Sequence, residues 1–308
     1  ATGHDKKEGP PSAPANAWSP SAIAGLRPDA AVLIRGTGLT MIDTVLSLVA
    51  RGHLGPITAV SRRGLLPRIH AEHRAHPLSA SEIPFGSSAT TLLRWLRRKI
   101  FQLVSTGQDW RSAIDGLRPH TQAIWISLPS LERARFLRHL RSIWDVHRHR
   151  MAPSVAKTIS HLQTTGQLRI FAGRILGHQH AEDRVVVRVK LRDKQECYAI
   201  EVDRMIDATG LPTDPRNSPN DLLLSLFDQN LARVDPLGLG LELASDGALI
   251  HADGQASQTI FAVGPLTRGA LWETVAIPDI RVQCARLAEN ICTRLFSKEE
   301  KSRRLLDL

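Results

Sequence analysis

The sequence predicts an α/β protein, on three observations. An apolar run, Ala31-Val32-Leu33-Ile34, passes through Gly36-Thr37-Gly38 into a helical stretch reaching Ala50. A second apolar run, Ile57 to Val60, closes on Ser61-Arg62-Arg63. Farther along, the period changes from helical to alternating: Leu168 to Ile175, Arg184 to Leu191 and Cys197 to Val202 read as strands of an antiparallel meander. Strand, glycine turn, helix and strand in that order make a Rossmann-like, dinucleotide-binding unit.

Within that unit, Gly36 allows the tight turn and Gly38 lets a pyrophosphate approach the backbone, while the new helix points its free N–H groups at the anion. Gly36, Thr37, Gly38, Leu39 and Thr40 are therefore candidate cofactor-binding residues. Met41 stands where the third glycine of the fingerprint would be. The end of the second strand selects the nucleotide. An acidic residue there takes a ribose 2′-hydroxyl, whereas arginine suits a 2′-phosphate. No Asp or Glu occurs between Asp43 and Glu72, and Ser61, Arg62 and Arg63 occupy the position, which favours NADP(H) over NAD(H). The alternative is a plain strand-turn-helix with a solvated arginine pair.

With 308 residues the chain is long enough for two domains, and 42% hydrophobic with 23% charged residues is ordinary globular composition. A net charge of +10 suits an anionic ligand, nucleic acid or an acidic membrane, and does not choose among them. Cys197, Cys284 and Cys292 form no close pair, so no zinc cluster or redox dithiol is expected. No apolar run approaches the roughly 18–20 residues of a membrane span and no signal-peptide pattern opens the chain, so a cytoplasmic protein is expected.

In chain order, the prolines between Asp5 and Pro28 predict a linker or extended arm. His70, His73 and His76 recur three apart without the spacing of a helical zinc motif, and a polar loop over the cleft is the better reading. Leu92, Leu96, Ile100 and Leu103 form the apolar stripe of a helix with a basic outside, and a second helix is expected from Leu131 to about Arg148. The basic run His147-Arg148-His149-Arg150 reads either as a phosphate or acidic-substrate contact or, preferably, as a solvated helix end. A helix over Met151–Gly166 precedes the meander, and a buried strand from Arg204 ends in Ala208-Thr209-Gly210. Two short strands at Leu249-Ile250 and Thr259–Gly264 lead to a helix from Asp279 to about Phe296. Its apolar face, Ile280, Cys284, Leu287, Ile291 and Leu295, places Cys284 in the core, and the charged tail after it is expected to fray.

Ala208-Thr209-Gly210 repeats Ala1-Thr2-Gly3, and the pair brackets the nucleotide unit. Together with Gly36 to Asp43, Ser61 to Pro67, Trp144 to Pro153 and Gly264 to Arg281, this resembles the bacterial FAD/NAD(P)-binding proteins, flavoproteins with two dinucleotide-binding domains related to the flavin-containing and N-hydroxylating monooxygenases. The resemblance implies an NAD(P)H domain over residues 30–206 inserted in a partial FAD-binding domain. Residues 1–29 would be FAD-domain remnant and proline-rich linker, 207–296 the C-terminal part of that domain, and 297–308 a charged tail. It implies FAD and NADP(H) as cofactors, with flavin contacts at Thr2, Gly3, Thr209, Gly210, Gly264, Pro265, Pro278 and Asp279. Two departures stand out. The family's opening G-x-G-x-x-G would lie before Ala1, so an N-terminally truncated chain is expected, and Pro265 replaces an acidic residue that many relatives place there.

The implied activity is an oxidoreductase in which NADPH reduces a flavin that passes electrons to oxygen or another acceptor. Partners would be a small-molecule substrate or electron acceptor, with no resident metal, no nucleic acid and no membrane; the catalytic residues are not legible. A non-catalytic NADPH-binding module is the competing reading. A nucleic-acid-binding protein using Arg94 to Arg98 and Arg133 to Arg150 lacks stacking aromatics and a recognition motif.

Overall fold

The computed structural model describes residues 13–181, 183–210, 214–274 and 276–306. Thr2 and Gly3 lie outside them. The described elements begin with β1 (Ala15–Asn16), β2 (Val32–Arg35), α1 (Leu39–Ala50) and β3 (Ile57–Ser61). A helical stretch follows: α2 (Ala89–Ser105), α3 (Trp110–Gly116), α4 (Thr121–Ser127), α5 (Ser130–Arg135), α6 (Arg141–Arg148) and α7 (Pro153–Thr164). Next come β4 (Leu168–Ala181), β5 (Arg184–Leu191), β6 (Cys197–Val202) and β7 (Arg204–Asp207), then α8 (Asp221–Asp228), β8 (Ala248–Ile250), β9 (Ala256–Phe261) and α9 (Ile277–Leu306).

One sheet runs in the order β1-β7-β2-β3-β4-β5-β6, parallel from β1 to β4 and antiparallel from β4 to β6. Val32 pairs with Ile57 on one side and Arg204 on the other, and Ile57 pairs with Leu168. Long strand β4 serves both halves. Its first residues, up to Ala172, pair with β3, and from Gly173 on it pairs with β5, with a register shift between Ile175 and Gly177. The two sheet faces bury different partners. Val32, Ile34, Ile57, Ala59 and Leu168 pack on α1 and α7 through Met41, Val45 and Ile159. Leu33, Val60 and Met205 pack on Val185, Val187, Val189 and Val202, so the meander covers the face that helices cover in an all-βα sheet. Burial on both faces explains why β2 reads as an unbroken apolar run.

Residues after β7 form a smaller unit, in which α8 and the β8–β9 hairpin share a core of Leu223, Ala232, Leu241 and Leu249. It meets the helical stretch through Trp125 stacked on Trp272 at 4.8 Å between ring centres, with Phe136 edge-on to both.

Several expectations change. The proline-rich arm supplies an edge strand, β1, and seats Ala22 in the core at 1% exposure; proline bars a central strand but tolerates an edge. The helix expected from Leu131 is interrupted by a π turn at Phe136–Leu140, where Phe136 and Leu137 join the Trp125–Trp272 cluster. Helices α3, α4 and α8 escaped prediction, although Asp109 and Asn220 cap α3 and α8 with side-chain oxygens. The last helix runs on to Leu306. Cys284 is exposed, not core. The buried position on α9 is its neighbour Gln283, about 100° around the helix, because α9 docks there through polar contacts to the Gly264 turn.

Candidate functional site

β2 is followed in the chain by β3 on one side, whereas β7 flanks it on the other, so the strand order reverses between β2 and β7. Open α/β sheets bind ligands outside the carboxyl ends of the strands at such a reversal. Gly36-Thr37-Gly38 and Ala208-Thr209-Gly210 meet there. Gly36 has φ 116°, and a Cβ built on it would lie 2.6 Å from the Ala208 carbonyl oxygen. Its N–H donates to Val60 O at 2.8 Å, and Ala208 N–H to Arg35 O at 2.8 Å. Gly36 is thus required by a crossing of backbones. Gly38 differs: no heavy atom lies within 4 Å of a Cβ built there. It opens α1 at φ −83°, and neither a side-chain cap nor an acidic residue satisfies that helix start. The first-turn N–H groups of Leu39 and Thr40 carry the positive end of the helix dipole. Met41, at the missing third glycine, is fully buried in the core.

Two hydroxyls expected at the cofactor are committed to the turn. Thr37 Oγ1 donates its single proton to Leu65 O at 2.6 Å, so the 2.8 Å contact with Ser61 must use the serine proton. Ser61 Oγ in turn accepts from Gly64 N–H. The arginines separate as well. Arg63 donates to the His139 carbonyl at 2.5 Å, while Arg62 is exposed at the end of β3 with no hydrogen bond or ion pair to a described residue. Thr209 turns its N–H and hydroxyl onto Asp207 Oδ1, and Gly210 adopts φ 91° beside it.

The remaining candidates sit at the other unit. Gly264, at φ 82°, donates its N–H to Gln283 Oε1 at 2.8 Å, and Thr267 Oγ1 donates to Gly264 O. Pro265 lies in that turn, and Pro278 and Asp279 stand in the first turn of α9, with Asp279 3.6 Å from Arg118.

A cleft of about 270 Å³ is lined both by the start of α1 and by Arg268, Trp272 and Glu273 from the segment after β9. Gly38, Leu39, Thr40 and Pro67 form one wall; Arg141, Asp145 and His149 of the α6 region and Arg268, Trp272 and Glu273 form the other. A second cavity of about 410 Å³, bounded by α9, Arg118, Gln122 and Arg148, shares Trp272 and Glu273 with it. Glu273 adopts φ 65°, rare for a residue with a side chain. Trp144 Nε1 and Arg148 Nε both donate to its carboxylate and hold it.

The basic run 147–150 proves to be neither solvated nor uniform. His147 Nδ1 donates to the Ile143 carbonyl inside its own helix, Arg148 pairs with Glu273, and Arg150 pairs with Asp115 through two contacts of 2.6 Å. His149 alone faces the cleft. Sequence reasoning missed Arg141, Asp145, Arg268, Trp272 and Glu273. A Trp-Glu pair outside any periodic segment was the available signal. His73 hydrogen-bonds Asp115 at 2.6 Å, and no group of three or more His, Cys, Asp or Glu side chains suited to a metal occurs among the described residues.

Burial pushes the Asp145 carboxyl above the usual carboxylate range, against the pull of Arg141 and His149. Burial pushes the His149 imidazole down, against Glu273 and Asp145, which favour its charged form; Arg148 and Arg268 add to the lowering. The unfolded chain therefore takes up a proton at His149 near pH 6.5, where the folded chain does not. Stability falls as the pH drops below that value, whereas Asp145 acts with the opposite sign just above its unfolded value of 3.8. In urea titrations between about pH 7.5 and 5.5, His149→Gln is expected to lose less stability than the parent. Equal losses would show that His149 titrates alike in both states.

No protein-family model and no curated protein matches this sequence. Solved structures do. The L-lysine 6-monooxygenase from Pseudomonas syringae superposes with a TM-score of 0.55 at 18% identity, over 88% of this chain and 55% of that one. The reduced form of an ornithine hydroxylase from Pseudomonas aeruginosa gives 0.50 at 12% identity, over 92% of this chain and 61% of that one. The fold is that of the flavoproteins with two dinucleotide-binding domains. This flavoprotein-fold chain spans a little over half the length of these neighbours, and no described helix is long and apolar enough to cross a membrane.

Proposed function

We propose that the protein is an FAD- and NADPH-dependent oxidoreductase of the monooxygenase type. One observation carries the reading: the uncapped start of α1, with open space over Gly38, stands at the β2–β7 reversal and lines a cleft that also holds Arg141 and Arg268. The flavoprotein likeness supports the same assignment. When bound, NADPH would supply a hydride that reduces a flavin, and the reduced flavin would supply electrons to oxygen or another acceptor.

The chain's own residues bind and orient. The α1 N–H groups receive the pyrophosphate, Arg62 receives the 2′-phosphate, and Gly36 keeps the turn against Ala208 so that these donors stay aimed. Thr37 and Ser61 hold the turn together and are not ligand contacts in this reading. Thr209, Gly210, Pro265, Pro278 and Asp279 are the flavin-side candidates. Gly264 offers shape there but no donor, since its N–H already serves Gln283. In the larger cavity Trp272 and Glu273 form a wall common to both sides, the place where substrate and nicotinamide would approach.

Charge-assisted contacts to a phosphate are worth about 1.5–3 kcal/mol. Arg62→Ala is therefore expected to weaken NADP⁺ binding by roughly 10- to 150-fold and leave NAD⁺ binding unchanged. Calorimetric titration of both nucleotides, with an absorbance scan for flavin, checks this. Equal affinity of the parent for NAD⁺ and NADP⁺ would remove the 2′-phosphate assignment. Tight NADP⁺ binding without flavin under any loading condition would favour the non-catalytic module.

A further inference from the structure

We propose that Arg268, from the segment after β9, is a second pyrophosphate-binding residue that clamps the nucleotide from the side opposite α1 and ties the C-terminal unit to the nucleotide domain. The inference rests on the nucleotide reading of the cleft.

Arg268 lines the same cleft as Gly38, Leu39 and Thr40. The two carboxylates of the cleft are already matched: Asp145 lies 3.5 Å from Arg141, and Glu273 takes Trp144 and Arg148. Arg268 has no hydrogen bond or ion pair to a described residue, and burial together with the Arg141 charge lowers its hold on its proton. A partly buried guanidinium beside a like charge, facing an uncapped helix start, is an arrangement that an anion completes. Trp272 gives an independent sign. This side chain is only 5% exposed and lines the same cleft, yet its indole N–H has no partner. A buried donor without a partner, on a residue of the cleft lining, fits a phosphate oxygen that a small shift of the indole on ligand binding would bring within reach. The α1 start, Arg268 and Trp272 share this cleft, so the helix dipole, the guanidinium fork and the indole N–H are the donors a diphosphate would meet there.

The position of Arg268 adds a consequence. Arg62 belongs to the nucleotide domain, whereas Arg268 belongs to the unit that also carries α9, so a bound diphosphate bridges the two. Ligand fragments separate the two roles. 2′-AMP carries the phosphate assigned to Arg62 and no pyrophosphate; ADP-ribose carries the pyrophosphate and no 2′-phosphate.

The test is calorimetric titration of the full chain, Arg268→Gln and Arg268→Lys with NADP⁺, ADP-ribose and 2′-AMP at low salt. Arg268→Gln is expected to weaken NADP⁺ and ADP-ribose by about 10- to 100-fold and leave 2′-AMP unchanged, with Arg268→Lys in between because it keeps the charge and loses the fork. Unchanged NADP⁺ affinity in Arg268→Gln overturns the proposal, as does an equal loss for 2′-AMP, which would mark a general structural defect. If Arg268→Gln fails to fold, full ADP-ribose affinity in Arg268→Lys overturns it and a partial loss supports it. A parent chain that binds none of the three ligands overturns the nucleotide reading itself, which no result on the variants alone would do.

Discussion

Asp115→Ala is expected to cost about 3–5 kcal/mol of stability, the magnitude of breaking a buried ion pair from one side. Arg150 and His73 are 7% and 6% exposed, and both turn onto the Asp115 carboxylate, which is itself 23% exposed. His73 Nδ1 also donates to Ala71 O, so this one carboxylate fastens the loop after β3 to α3 and to the end of the α6 region. Removing it strands a buried guanidinium that has no other ion pair among the described residues, and Arg150 Nη1 is already without a partner. Burial raises the cost of the Asp115 charge, but Arg150 and His73 outweigh it and hold the carboxyl below its usual range. The contribution is therefore present at neutral pH and lost as pH falls from the unfolded value of 3.8 through the lower folded one. Urea unfolding measures the loss. Adding Arg150→Met to Asp115→Ala should recover part of it, since the stranded charge goes with it. No recovery would mean that the loop anchoring, not the buried charge, dominates.

Gly36→Ala is expected to destabilise by roughly 2–5 kcal/mol, from a left-handed backbone position and a forced separation of β2 from the Ala208 turn. Gly38→Ala is the matched control, because φ −83° and open space accept a methyl group with little loss of stability, within about 0.5 kcal/mol. Nucleotide binding should suffer in both, in Gly36→Ala because the turn moves and in Gly38→Ala because the methyl occupies the ligand's approach. Thermal unfolding and NADP⁺ titration of the pair separate the two roles. Equal stability of the two variants would contradict the backbone crossing seen at Gly36.

These two glycines show where sequence reasoning reaches its limit. Their spacing marks a turn before a helix, and the turn is there. The motif assigns the turn to Gly36 and the ligand approach to Gly38, yet nothing in it says that Gly36 answers to Ala208, far away in the chain. Arg62 and Arg63 diverge in the same way. Adjacent and identical in type, one is spent on a carbonyl of the α5–α6 region and the other is left open.

The sequence by itself determined the elements that carry a local pattern, whether an apolar run, a glycine turn or an alternation. β2, α1 and β3 lie where the apolar runs and the glycine turn place them, the three strands of the meander follow from the change of period, and α7 falls within the helix expected over Met151–Gly166. These are short-range signals: a residue's partner face is set by position within its own element. Tertiary structure alone decided which charges become internal. His147, Arg148, His149 and Arg150 look alike as a basic run, but Glu273 and Asp115, reached from other parts of the chain, turn two of them into buried anchors. It also decided that Arg268 and Trp272 face the start of α1. Periodicity says that a face will be covered, and only the packed chain says by what, since the free energy of a charge depends on the partners that reach it after folding.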